Sequence, residues 1–133
     1  MAILWTPDLA IGVEPLDAQH QRLFAVIDEL VTAMETGEGR TRVAEVLRFL
    51  KGYLVEHFSA EERFMIEKGY AGYEGHKRQH DELIQDFLAL EEELAAHGPT
   101  TALVIAVNTR LAQWLRSHVS RVDRALARAV AGR

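Results

Sequence analysis

From Val43 to Met65 the apolar residues return every third or fourth position, as Val43, Val46, Leu47, Leu50, Tyr53, Leu54, Phe58, Phe64 and Met65. That 3.6-residue period predicts a long helix with one face against a core. Two polar residues, His57 and Glu61, fall on the same inward stripe and not on the charged face with Arg48, Lys51, Glu56 and Glu62. Side chains four apart stack one turn above the other, so one rod aims an imidazole and a carboxylate into the core together. A buried carboxylate without a partner is costly or takes up a proton. Whatever this chain folds into must therefore satisfy polar donors at its centre.

The remaining segments repeat the pattern. Asp17 reads as the N-cap of a first helix at about 18–35, with His20, Leu23, Phe24, Ile27, Leu30, Val31 and Met34 inward. The run TGEGR ends it, and Thr41 reads as the cap of the second helix. The loop GYAGYEG, with three glycines, leads to a third helix carrying His76, His80, Leu83, Ile84, Phe87, Leu90 and Leu94 on one face. His97-Gly98-Pro99 stops that helix. A fourth, at about 100–129, turns Val104, Val107, Leu111, Trp114, Leu115, His118, Val122 and Leu126 inward. Residues 1–16, with Pro7, Gly12 and Pro15 among Trp5, Leu9 and Ile11, read as an ordered arm. There is no strand-like alternation and no repeat. The expected fold is all-α, an antiparallel up-down-up-down four-helix bundle with an N-terminal arm, as one domain over 1–133.

Composition narrows the function. The net charge of −5 argues against a nucleic-acid surface. With no cysteine, any metal must be held by nitrogen and oxygen. No stretch approaches the ~18 apolar residues of a membrane span, and the N-terminus lacks a leader pattern, so a cytoplasmic monomer is expected.

Five of the six histidines (His20, His57, His76, His80 and His118) lie on inward stripes contributed by all four helices, and His97 reads as a surface residue at a helix end. A lone inward histidine is an ordinary core residue; five with an inward Glu61 are not, and metal coordination would satisfy them together. Imidazole with carboxylate favours iron or manganese over softer metals. With Asp123, which follows His118, the candidates number seven, too many for one four-coordinate zinc, which points to two metals. If both are six-coordinate, five imidazoles, two bridging carboxylates and one bridging solvent oxygen leave one position open. Phe24, Phe58, Phe64, Phe87 and Trp114 read as core packing, and the surface charges as a solvated face.

The order of a lone His20, then His57-x3-Glu61, then His76-x3-His80, then His118-x4-Asp123 resembles the hemerythrins, the bacterial single-domain ones in particular. The similarity extends from about Trp5 to Asp123, and no ligand position departs from the pattern. The resemblance implies two non-haem iron ions, one on His76, His80 and His118 and the other on His20 and His57. Glu61, Asp123 and a solvent-derived oxo or hydroxo group would bridge them. It implies that dioxygen binds at the two-histidine iron as hydroperoxide, with the formal charge of the centre unchanged. It also places Leu115, about one turn before His118, where the family shields bound oxygen.

The expected function is reversible dioxygen binding for storage, delivery or sensing, not catalysis, because the inward faces offer no spare acid or base. The alternative is a di-iron enzyme acting on peroxide or nitric oxide, or an iron store. One geometric expectation follows from the five-residue step between His118 and Asp123. In a regular helix it separates the two by ~140°, against ~40° for an i+4 pair. A π-type turn or a broken i→i−4 ladder within 116–124 would bring them together, unless side-chain reach suffices.

Overall fold

The structure is a computed structural model and describes residues 5–37 and 40–131. Four helices alternate in direction: α1 (Glu14–Glu35), α2 (Arg40–Glu67), α3 (Tyr73–His97) and α4 (101–130). Each packs on the next, and α4 closes the ring on α1. No strand occurs among the described residues. This is the expected all-α antiparallel bundle.

The helix starts differ from the sequence expectation. α1 begins at Glu14, not Ala18, with Val13 at the N-cap and Pro15 in the first turn, where a missing N–H costs nothing. Asp17 is therefore not the cap. From inside the first turn its carboxylate accepts the backbone N–H groups of Ile11 at 2.8 Å and Gly12 at 3.1 Å. It pins the arm to the helix. Gly12 makes that bend possible, because its φ of 87° is a conformation other residues rarely adopt. The arm is correspondingly shorter than the expected 1–16. It contains a 3-10 turn, Pro7–Leu9, which buries Leu9, and the Arg124 guanidinium of α4 donates to the Asp8 carbonyl. Residues 1–4 lie outside the described residues.

α2 is already helical at Arg40, so Thr41 lies in its first turn and does not cap it. It closes with paired bonds, Tyr70 N–H to Met65 O at 2.9 Å and Gly69 N–H to Ile66 O at 3.1 Å. Gly69 supplies the left-handed residue, φ 63°, that this closure requires. Tyr73, Glu74 and Gly75, expected in the loop, belong to α3. The end of α3 is as expected, with Gly98 at φ 76° donating to Leu94 O at 2.8 Å. Thr100 caps α4 by accepting from Leu103 N–H at 3.1 Å.

α4 is not a uniform α-helix. α-helical Thr101–Val107, Gln113–Ser117 and Arg124–Val130 are separated by π-helical Asn108–Ala112 and His118–Asp123. The second π segment spans the His118–Asp123 step. At about 4.4 residues per turn, a five-residue step leaves only ~50° between its ends, so both side chains face one side. The first segment, which the sequence reading did not anticipate, accompanies two successive fully buried residues, Leu111 and Ala112.

The main core runs from Leu9, Leu23 and Phe24 through Leu54, Phe58 and Phe87 to Leu115 and Val119. A smaller cluster of Met65, Leu126 and Val130 forms beyond it, with Phe64, Tyr70 and Tyr73 against it. Glu61 falls between Phe58 and Met65 on α2, and Asp123 between Val119 and Leu126 on α4. The inward polar residues thus form a layer between two apolar ones.

Replacing Asp17 with Ala removes the acceptor for two arm N–H groups and should cost about 1–2 kcal/mol in a urea unfolding titration. Asp17→Asn, which keeps one acceptor oxygen, should lose less. An Asp17→Ala protein as stable as the parent would mean that the arm is not held this way.

Candidate metal centre

Seven polar or charged residues are buried among the described residues: His20, His57, Glu61, His76, His80, His118 and Asp123. These are the seven singled out in the sequence, and none is more than 3% exposed. α1 supplies His20, α2 supplies His57 and Glu61, α3 supplies His76 and His80, and α4 supplies His118 and Asp123.

They form two groups that share the carboxylates. Glu61, His76, His80, His118 and Asp123 each offer a donor atom within 4.8 Å of the others, and so do His20, His57, Glu61 and Asp123. The oxygens divide accordingly. Glu61 Oε1 lies 2.6 Å from His76 Nε2 and 3.2 Å from His80 Nε2, and Asp123 Oδ1 lies 2.9 Å from His76 Nε2 and 3.1 Å from His118 Nε2. Glu61 Oε2 faces the Nε2 atoms of His57 at 3.6 Å and His20 at 3.8 Å, and Asp123 Oδ2 lies 3.1 Å from His20 Nε2. Each carboxylate thus gives one oxygen to each group. Every imidazole presents Nε2.

These approaches do not amount to hydrogen bonding. Both oxygens of Glu61, both of Asp123 and both ring nitrogens of His20 lack a hydrogen-bond partner in the structure. A buried polar atom left so costs about 1–3 kcal/mol, and more if charged. The atoms converge on common points and not on one another, as donors around cations do. His118 Nε2 lies 3.0 Å from His76 Nε2 and 3.2 Å from His80 Nε2, close for three neutral acceptors but ordinary for neighbouring donors on one cation. Neighbouring donors on a six-coordinate ion lie about √2 bond lengths apart, so these spacings suit bonds of about 2.1–2.3 Å; a tetrahedral ion would need about 1.8–2.0 Å, short for zinc and imidazole. The orphaned buried oxygens and the converging Nε2 atoms fit two donor groups able to hold cations.

The imidazoles are held from behind as well. His57 Nδ1 donates to Gln19 Oε1 at 2.6 Å, His80 Nδ1 to Glu62 Oε2 at 2.9 Å and His118 Nδ1 to Gln79 Oε1 at 2.9 Å. Such bonds fix the tautomer that leaves Nε2 free to bind. Phe58 lies parallel to the His80 ring, 3.9 Å between centroids, and Trp114 to that of His118 at 4.5 Å. The sequence reading missed the three hydrogen-bonding roles and placed Glu62 on the charged face. It took Phe58 and Trp114 as core packing of which some also walls the site, and the structure gives both a place against an imidazole. Leu115 is fully buried in the main core on the same rod as His118. An open recess of about 530 Å³ beside Ala44, Leu47, Leu94 and Ala95 lies far along α2 and α3 from this layer.

Charge balances inside the metal-free layer through protons. Burial opposes charging His20 and His76, but contacts with Asp123 and Glu61 outweigh it and raise both pKa values to about 9. Burial dominates at His57, whose pKa falls to about 4 despite Glu61. Burial would raise Asp123 and Glu61, yet the surrounding imidazoles hold Asp123 down at about 2 and Glu61 well below its usual range.

An all-helical bundle enclosing five imidazoles and two shared carboxylates defines a cation-binding four-helix protein. Residues 11–130 match the family described as hemerythrin HHE cation binding domain, and the chain belongs to that family. It is 33% identical over 128 residues to a bacteriohemerythrin of Stenotrophomonas maltophilia, covering 96% of this chain and 81% of that one. It is 33% identical to a bacteriohemerythrin of Methylococcus capsulatus, covering 93% and 94%. A crystal structure of wild-type hemerythrin superposes with a TM-score of 0.87 at 28% identity, covering 99% of this chain and 100% of that one.

The raised histidines favour the metal-free fold fully below pH about 6.5, and that contribution fades as pH rises through about 9. A cation needs those nitrogens deprotonated. Loading a divalent cation at pH 7.5 in weak buffer should therefore release at least two protons per chain, counted with an indicator dye, and loading should weaken as pH falls. Uptake without acidification would contradict this charge assignment.

Proposed function

We propose that the chain holds two non-haem iron ions and binds dioxygen reversibly there. The observation that carries the reading is the division of Glu61 and Asp123, one oxygen to each histidine group. A single cation would leave half of those oxygens buried and unused. His76, His80 and His118 would hold one iron, His20 and His57 the other, and the two carboxylates would bridge. Bound there, the pair supplies electrons and an open coordination position to dioxygen. With one imidazole fewer, the His20–His57 side would offer the opening.

The protein's own residues do the rest. Glu61 and Asp123 neutralise charge between the two positions, where Coulomb repulsion would otherwise separate the cations. Phe58, Leu115, Val119 and Leu23 belong to the buried core and would keep water from the layer when the pair is bound. The polar side chains hydrogen-bonded to the imidazoles, Gln19, Glu62 and Gln79, all face Nδ1, behind the rings. None points into the donor cluster as an acid or base, which supports binding over turnover. Whether the bound oxygen is stored, delivered or sensed depends on partners outside this chain.

Reduced, iron-loaded protein should take up one dioxygen per chain, seen by absorption, and give it back under argon. Continuous oxygen consumption would favour the enzyme reading. Glu61→Ala should lower iron from two per chain to one or none; a variant that keeps two would remove the bridge from the account. Leu115→Ala opens the wall beside His118 and should speed irreversible oxidation of the centre. An unchanged oxidation rate would reject that role for Leu115.

A further inference from the structure

Three of the five imidazoles are held through Nδ1, and the three partners differ in charge. Gln19 behind His57 and Gln79 behind His118 offer a neutral amide oxygen, while Glu62 behind His80 offers a carboxylate. No other charged group among the described residues is hydrogen-bonded to an Nδ1 of this cluster. It serves the three-histidine pocket. We infer that Glu62 is the positioning residue that makes this pocket the tighter and first-filled of the two cation positions; the inference rests on the two-cation reading above.

A carboxylate can only accept, so the hydrogen of His80 sits on Nδ1 and the Nε2 lone pair faces the cluster. A Gln oxygen enforces the same tautomer but adds only a dipole. The carboxylate adds a full negative charge one ring away from the cation, which strengthens Nε2 as a donor and favours a more highly charged ion. Two features keep that charge from being screened away. Glu62 is only 18% exposed, and Phe58 lies flat against His80 at 3.9 Å, excluding water from one face of the ring. In the other pocket, His57 has only the neutral Gln19, while one Nδ1 in each pocket, that of His20 and that of His76, has no partner. The donor sets are thus unequal twice over, in imidazole count and in the charge behind the imidazoles.

The test separates charge from shape. Metal-free protein is titrated with cobalt(II) alone and followed by its visible absorption. Wild type should fill in two steps. Glu62→Gln keeps an acceptor oxygen and deletes the charge; it should weaken the first step about 10–100-fold and move the second by less than about threefold. Gln19→Glu places a charge behind His57 and should strengthen the second step only. In iron-loaded protein, Glu62→Gln should also raise the reduction potential, a shift that a merely structural residue would not cause. Wild type taking up two cations with Glu62→Gln unchanged would overturn this inference and leave the two-cation reading standing. Equal weakening of both steps, or weakening by Glu62→Ala with none by Glu62→Gln, would also overturn it, because shape alone would then explain the effect. Fewer than two cobalt ions bound to wild type would overturn the two-cation reading and this inference with it.

Discussion

Two carboxylates divided between two sets of imidazoles are the constraint on which the rest of the structure depends. Glu61 comes from α2 and Asp123 from α4, and each places one oxygen toward His76 and its neighbours and the other toward His20. A donor layer of this kind in a low-dielectric core is tolerable only when its charges are matched, by protons or by metal. The apolar layers on either side, Phe58 with Val119 and Met65 with Leu126, hold the matched set away from water. Bundle, arm and helix closures can then be understood as the means of keeping four rods in one register.

α4 shows what that register costs the backbone. A regular helix would send His118 and Asp123 to opposite flanks, yet Asp123 Oδ1 lies 3.1 Å from His118 Nε2. The chain resolves the conflict by widening to a π turn over His118–Asp123 and tightening again at Arg124. Single π turns of this kind are retained where a side chain must be re-aimed, at the expense of regular i→i−4 bonds. The extra methylene of Glu61, with its i+4 spacing from His57, spares α2 the same distortion.

Much of this was legible in the sequence because the signal was periodic. The stripes of α1 to α3 and the inward positions of the five histidines and Glu61 follow from 3.6-residue spacing, whereas Asp123 lies off that period and came from the family pattern, its five-residue step from His118 calling for the π turn. What was not legible depends on neighbours across helices. Asp17 looks like a cap until the arm is seen lying over it, where Ile11 and Gly12 present their N–H groups. Gln19, Glu62 and Gln79 sit one residue from His20, Glu61 and His80, on the flank of the stripe, so periodicity assigns them to the surface. Each reaches sideways to the next helix: Gln19 of α1 to His57 of α2, Glu62 of α2 to His80 of α3, Gln79 of α3 to His118 of α4. The usable signal was adjacency, a polar residue able to accept a hydrogen bond beside an inward ligand on each of α1, α2 and α3. It acquires meaning only once the order of helices around the bundle is known.

The central claim is that two cations share Glu61 and Asp123. Diffraction from crystals of the iron-loaded protein, recorded on either side of the iron absorption edge, tests it most directly. The account predicts two anomalous peaks in the buried layer, one among His76, His80 and His118 and one beside His20 and His57, with both carboxylates between them. One peak, or peaks at surface carboxylates with the buried layer empty, would contradict it.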